Sequence, residues 1–234
     1  QLRSGLLSSV SHDLRTPLAS IIGSTTSLLE YRDRLRADDR SELLHTVLNE
    51  SQRLNRYIQN LLDMTRLGQE GFRPKREWVD LNDLISAAIE RLNGALQRVQ
   101  VKVEISPSVS LIFVHGALIE QALVNLIDNA ADYSPDDGII EIKAMPNGDA
   151  TILEVIDQGE GIAESEREKV FDMFYRARQG DRDHQGAGLG LTICRSLVAA
   201  HSGTIRAYNI DGCHGTRMRI TLPLDENPVS REHA

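Results

Sequence analysis

"GIIEIKAMPNGDATILEVIDQGEGI", Gly138 to Ile162, is the stretch whose reading decides the fold. "GIIEIKAM" and "ATILEVID" are strand-like, and the "PNGD" turn from Pro146 to Asp149 joins them. The second run ends on Asp157, with Gly159 and Gly161 just beyond. A carboxylate at a strand end can accept a hydrogen bond from an adenine amino group, and the glycines let a flat base lie close to the backbone. The other reading of the same residues is an Asp-Gly turn.

Upstream, "LNDLISAAIERLNGAL" and "GALIEQALVNLIDNAADYS" are amphipathic helices, and "VQVKVEI" and "SLIFVH" are strands. Downstream come a long irregular stretch, a helix from about Leu189 to His201, and two last strands, "GTIRAYNI" and "GTRMRITLPL". Together they make an α+β two-layer sandwich, a mixed sheet with helices on one face.

The first seventy residues differ. Leu7, Val10, Leu14, Pro17, Ile21 and Leu28 follow a three-four rhythm with one position skipped. Leu44, Val47, Ser51, Leu54, Ile58, Leu61 and Thr65 repeat it. "YRDRLRADDR" between them suits a hairpin bend, with Asp38 or Ser41 as cap of the second helix. Leu6, Leu18, Ile22, Leu43, Leu48 and Leu62 lie off the seam. They predict pairing with a second copy into a dimeric four-helix bundle. The alternative is that the hairpin packs on the rest of its own chain. "LGQEGFRPKREW", Leu67 to Trp78, reads as a linker. The expected organisation is a helical hairpin over 1–68, a linker over 69–79, an α+β domain over 80–224 and a disordered tail over 225–234.

The 234 residues leave room for one large domain or two small ones. A net charge of -8 without a basic stripe excludes a nucleic-acid binder. Cys194 and Cys213 stand in unrelated contexts with no ligand spacing, which predicts reduced thiols in a cytosol-like compartment. No apolar run reaches the length of a membrane span, so no direct membrane contact is expected. The chain opens on "QLRSGLLSSV", inside a helical pattern and without an initiator methionine, which reads as a fragment.

Two more stretches carry chemistry. In "QGAGLGL", Gln185 to Leu191, Gly186, Gly188 and Gly190 precede an apolar helix. Glycine lets backbone N–H groups approach phosphate, and a helix N-terminus favours anions. It is neither a Walker loop nor a dinucleotide fingerprint. In "NLIDNAADYS", Asn125 and Asn129 are four apart and share a helical face. Their carboxamide oxygens are hard ligands, able to bind a Mg²⁺ already neutralised by phosphates. A helix-surface polar pair is the competing reading.

The order of these motifs, with "FDMFYR" (Phe171 to Arg176) between the last two, resembles the ATP-binding domain of sensor histidine kinases. "SHDLRTPL", Ser11 to Leu18, resembles their phosphoacceptor box. Within the family, "GFRPKREWVDL" and "LLDMTRL" resemble the KdpD-type potassium-responsive kinases. The resemblance implies a sensor histidine kinase core using ATP and Mg²⁺. It would transfer phosphoryl from its own histidine to an aspartate of a response regulator, work also as a regulator phosphatase, and act as a homodimer in the cytoplasmic portion of a membrane-anchored sensor.

By the same resemblance His12 is the phosphoacceptor, Asp13 its supporting acid, and Thr16 the positioner of water in the reverse reaction. Asn129 is the direct Mg²⁺ ligand and Asn125 its support. Tyr133 packs on adenine and Asp157 binds its amino group. Arg176 reaches toward phosphate. Gly159, Gly161, Gly186, Gly188 and Gly190, with Leu191 closing the last motif, shape the pocket and a mobile lid between about Phe171 and Gln185. Asp132 departs from the pattern, because the family often has a basic residue there to meet phosphate. "DQG" in place of the commoner "DNG" is a smaller change.

The residues around His12 support that assignment on their own terms. His12 falls between seam positions Val10 and Leu14 and points outward. A neutral imidazole has one free nitrogen to attack phosphorus, and Asp13 can hold the other N–H. Pro17 has no N–H, so it strips the Asp13 carbonyl of its helical partner and bends the helix. A phosphatase-dominant enzyme and a non-catalytic nucleotide-sensing dimeric scaffold remain the alternatives.

Overall fold

The computed structural model describes residues 2–32, 34–67, 74–92, 94–173, 175, 188–210 and 214–224. The chain divides into two compact units between Thr65 and Arg66.

The first unit is a hairpin of α1 (Leu2–Glu30) and α2 (Ala37–Leu67). Pro17 lies inside α1 and is buried, as is Ser24, the position the three-four rhythm skips. The connector is closed by Arg40, whose guanidinium donates to the Arg32 carbonyl at 2.8 Å. The capping expectation is corrected here. Helix α2 already begins at Ala37, so Asp38 sits inside its first turn with Asp39. There the carboxylates oppose the positive end of the helix dipole, and Asp38 pairs with Arg36 at 3.6 Å.

Leu44 and Ile58, expected in the seam, are about half exposed within the hairpin, together with Leu18, Ile22, Leu48 and Leu62. Each helix thus has a second apolar stripe that the hairpin does not cover. The side chains of Leu6, Leu7, Val10, Leu61 and Thr65 lie outside the description.

In the second unit a strand overlaps the stretch expected to be a linker. Residues Glu77–Asp80 form strand β1 and pair antiparallel with β3 (Leu111–Val114). Trp78 and Phe113 pack ring to ring across that ladder at 5.3 Å. The pairing partner lies over thirty residues downstream, so no local pattern announces the strand. Asp80 then caps α3 (Leu81–Arg91), its carboxylate accepting from the Asn82 N–H at 2.7 Å. The helix stops at Arg91, and "ALQR" forms a separate 3₁₀ turn, not the end of one long helix.

Strands β2 (Gln100–Ile105), β4 (Ile139–Asn147), β5 (Ala150–Ile156), β6 (Thr204–Asn209) and β7 (Thr216–Pro223) form the main sheet in the order β2-β4-β5-β7-β6. β2 and β4 run parallel and the other neighbours antiparallel, so the sheet is mixed. The β4–β5 turn is tighter than "PNGD", since pairing continues to Asn147 and Ala150 and Gly148 takes φ +57°.

Helix α3 is tied to α4 (Gly116–Tyr133) by Arg91, which reaches Glu120 at 2.9 Å and Gln121 at 3.3 Å. Helix α5 (Gly190–Ala199) is tied to α4 by the Cys194 thiol, which donates to the Ala122 carbonyl at 3.4 Å. Ile140, Ile142 and Ala144 of β4 and Met218, Ile220 and Leu222 of β7 bury alternate side chains under these helices. Full burial of such a side chain stabilises the fold by about 1.5–3 kcal/mol. Central strand β5 is buried on both faces. Its Glu154 is covered on the open side by Arg219 at 2.7 Å and Arg217 at 3.6 Å.

Candidate functional site

Asp157 directly follows β5 and is 2% exposed. Its Oδ1 accepts from the Gly159 N–H at 2.8 Å and the Thr216 N–H at 3.0 Å. Its own N–H donates to the Thr216 carbonyl at 2.9 Å. Burial pushes the carboxyl pKa up, and the two backbone N–H bonds pull part of the way back. Every described hydrogen bond to the carboxylate falls on Oδ1, so a ligand N–H has Oδ2 to meet. An oriented buried acceptor of this kind suits a base's exocyclic amino group.

The loop after Asp157 is packed closely. A Cβ at Gly159 would lie 2.8 Å from the Tyr133 carbonyl oxygen, so only glycine lets the loop touch the end of α4. Gly161 holds φ +87°, which a side chain disfavours. The Ile162 N–H donates to Asn209 Oδ1 at 2.9 Å. Gln158 has a definite task. Its Oε1 accepts from the Ile139 N–H at 2.9 Å and ties the loop to the first residue of β4.

Helix α4 supplies the facing wall. Asn125 is engaged on both ends, accepting from Gln121 at 3.3 Å and donating to the Gly190 carbonyl at 3.5 Å, at the start of α5. The side chain of Asn129, one turn on and half buried, makes no hydrogen bond among the described residues. A neutral carboxamide oxygen left unengaged beside an engaged one fits a Mg²⁺ whose charge phosphates offset. Among the described residues no cluster of three or more His, Cys, Asp and Glu side chains could hold a metal without such help. Tyr133 is about half exposed, and Asp132 is exposed. Arg98 fixes the end of the helix by donating to the Ala131 carbonyl at 2.6 Å while pairing with Asp136 at 3.2 Å.

Gly188 takes φ +66°, Leu189 is buried, and Gly190 and Leu191 open α5. Phe171 is buried, and its carbonyl accepts from Thr192 of α5 at 3.0 Å. Arg176, Gly186 and most of the expected lid fall outside the described residues. His12, Asp13 and Thr16 all lie on α1. Thr16 is exposed one turn after His12, while the His12 and Asp13 side chains are outside the description.

Asn209, Gly215 and Thr216 hold Asp157 and its loop and went unnoticed in the sequence. The Gly-Thr pair where the last strand begins was the available signal for two of them. It reads locally as an ordinary turn, and only sheet pairing places it against Asp157.

Comparison with known proteins agrees with this geometry. Residues 115–226 match the family described as histidine kinase-, DNA gyrase B- and HSP90-like ATPase, and residues 2–70 match the His Kinase A (phospho-acceptor) domain. The chain belongs to the sensor histidine kinase family.

The KdpD sensor protein of Clostridium acetobutylicum is 36% identical over 226 residues, covering 96% of this chain and 25% of the relative. This chain therefore spans about a quarter of the length of that curated relative. The solved mycobacterial sensor histidine kinase MprB is 29% identical with a TM-score of 0.57, over 65% of this chain and 99% of that one. The histidine kinase ThkA, solved in complex with the response regulator TrrA, shares the fold at a TM-score of 0.70 and 20% identity, over 94% of this chain and 61% of that one. No described helix of the kinase core is long and apolar enough to cross a membrane.

Proposed function

We propose that the chain is the catalytic core of a sensor histidine kinase that phosphorylates His12 from Mg-ATP and passes the phosphoryl group to an aspartate of a separate response regulator. The carrying observation is a buried, backbone-oriented carboxylate at Asp157 whose loop packs against the end of α4, the helix that bears Asn129, in a chain with a phospho-acceptor domain. Asp157 binds the adenine amino group, and Tyr133 covers the base. Asn129 holds Mg²⁺, with Asn125 keeping α4 and α5 in register around it. Bound Mg²⁺ supplies charge neutralisation at the phosphate oxygens. Arg176 reaches toward phosphate, and Gly159, Gly161, Gly186, Gly188, Gly190 and Leu191 shape the pocket and its lid.

On α1, a neutral His12 attacks the γ-phosphorus. The histidine–phosphorus bond forms as the bond to the bridging oxygen breaks, and ADP leaves. Asp13 accepts the hydrogen bond from the other ring nitrogen and stabilises the positive charge that develops. Thr16, one turn on, orients water for the regulator phosphatase reaction. The half-exposed stripes of α1 and α2 support a homodimer closed into a four-helix bundle. The similarity to KdpD relatives supports potassium or osmotic signalling by the cytoplasmic portion of a membrane-anchored sensor.

Incubation with γ-labelled ATP and Mg²⁺ tests the reading. Label that is acid-labile, alkali-stable and lost in His12→Gln is the expected result. A second reading, phosphatase dominance, is favoured by the exposed carboxylate of Asp132 where the family often has a base. Absence of label with rapid dephosphorylation of a phosphorylated regulator is the outcome that selects it.

A further inference from the structure

Both ends of the Asp157–Ile162 loop are held by one cross-strand pair. Asn209, the last residue of β6, faces Thr216, the first of β7. Thr216 grips the front of the loop with two backbone bonds, taking the Asp157 N–H on its carbonyl and giving its own N–H to Oδ1. Asn209 grips the back with a side chain, its Oδ1 accepting the Ile162 N–H at 2.9 Å. The same carboxamide walls in Gly161. A Cβ there would lie 3.3 Å from Cγ, Nδ2 and Oδ1 alike, and the backbone is held at φ +87°.

We infer that Asn209 is a positioning residue for nucleotide recognition: its carboxamide clamps the Gly161–Ile162 end of the loop so that Asp157 meets adenine in one fixed orientation. The inference rests on reading Asp157 as the adenine acceptor. Without the Asn209 oxygen, the Ile162 N–H loses its partner and the glycine-rich segment loses its wall. Among the described residues the loop then keeps Thr216, Gln158 and the packing of Gly159 on Tyr133. Asp157 still ionises and still accepts, but its free oxygen samples a range of directions. Binding that depends on direction suffers most. Adenine offers a donor where guanine offers a carbonyl oxygen, so the preference for adenine is the sensitive quantity.

The test uses the full chain with Mg-ADP and Mg-GDP as probes, read by calorimetry and by competition. Asn209→Ala is expected to weaken Mg-ADP about tenfold and Mg-GDP little, which compresses the ADP:GDP ratio. Asn209→Asp keeps an oxygen at the same reach and restores the ratio. A purely structural role predicts lower melting temperatures with the ratio unchanged, and that result overturns the proposal. Asp157→Asn separates the two levels. If it abolishes ADP binding while N209A keeps the parental ratio, Asn209 has no positioning role and the Asp157 reading stands. If Asp157→Asn binds ADP as the parent does, both fall. Should N209A be unfolded at the assay temperature, Asn209→Ser, with a shorter hydroxyl acceptor, is judged by the same ratio.

Discussion

A Cβ added to Gly215 would stand 2.3 Å from the carbonyl oxygen of Asp157. Gly215 also takes φ +134°, where a side chain is strained whatever the space. The strand that orients the acidic residue can therefore approach it only through glycine. Gly215→Ala must push β7 and the end of β5 apart. We expect a loss of about 3 kcal/mol or more in unfolding free energy, with nucleotide binding lost in whatever protein remains folded. Chemical denaturation with a parallel ADP titration checks it; a variant that keeps parental stability contradicts the geometry.

Asp157→Asn should separate stability from recognition. The asparagine oxygen still accepts from Gly159 and Thr216, while its amide faces the adenine amino group donor to donor. Burial raises the Asp157 pKa in the folded chain, so its contribution to stability is fully present below the unfolded value near 3.8 and is lost as pH rises through the folded one. At pH 7 the variant escapes that loss. It should melt no lower than the parent, and any advantage should vanish as the pH approaches 3.8. Adenine binding should be gone throughout. Melting curves across pH and calorimetry with ADP decide both halves.

His201 carries the opposite sign. It is 1% exposed, its Nδ1–H donates to the Leu197 carbonyl at 2.8 Å, and Nε2 accepts the His115 N–H at 3.0 Å. Both ring nitrogens are committed to the neutral form. Burial pushes its pKa below 6.5. The Leu197 bond opposes this, and the nearby Arg76 and His115 add to it. The stability it contributes is present above 6.5 and is lost as pH falls through the lowered folded value. His201→Gln should lower stability at pH 7.5 by about 1–3 kcal/mol and flatten the decline that sets in as the pH is taken below 6.5. Denaturation midpoints at those pH values are the readout, and an unchanged slope sinks the assignment.

The apolar stripes on the hairpin bear on assembly. Ile22 and Leu48 are 57% and 52% exposed within the hairpin. If they meet a second copy, burying charge there is prohibitive. The double variant Ile22→Glu, Leu48→Glu should run as a monomer in light scattering while the parent runs as a dimer. Its ADP affinity should be unchanged, since it does not alter the second unit. A variant that remains dimeric removes these positions from the interface.

The sequence by itself determined the periodic hairpin, most of the strands and helices, and the order of the asparagine and glycine motifs around Asn129 and Asp157. These are local properties: a three-four rhythm, an alternating run, or an aspartate between glycines carries its meaning within a few residues. Tertiary structure alone decided that Glu77–Asp80 is a strand, that Leu44 and Ile58 leave the hairpin seam, and that Asn209, Gly215 and Thr216 hold the acidic loop. The reason is common to all three. Each depends on a partner distant in the chain, and a hydrogen bond or an excluded Cβ across a sheet leaves no periodic trace in either of the segments it joins.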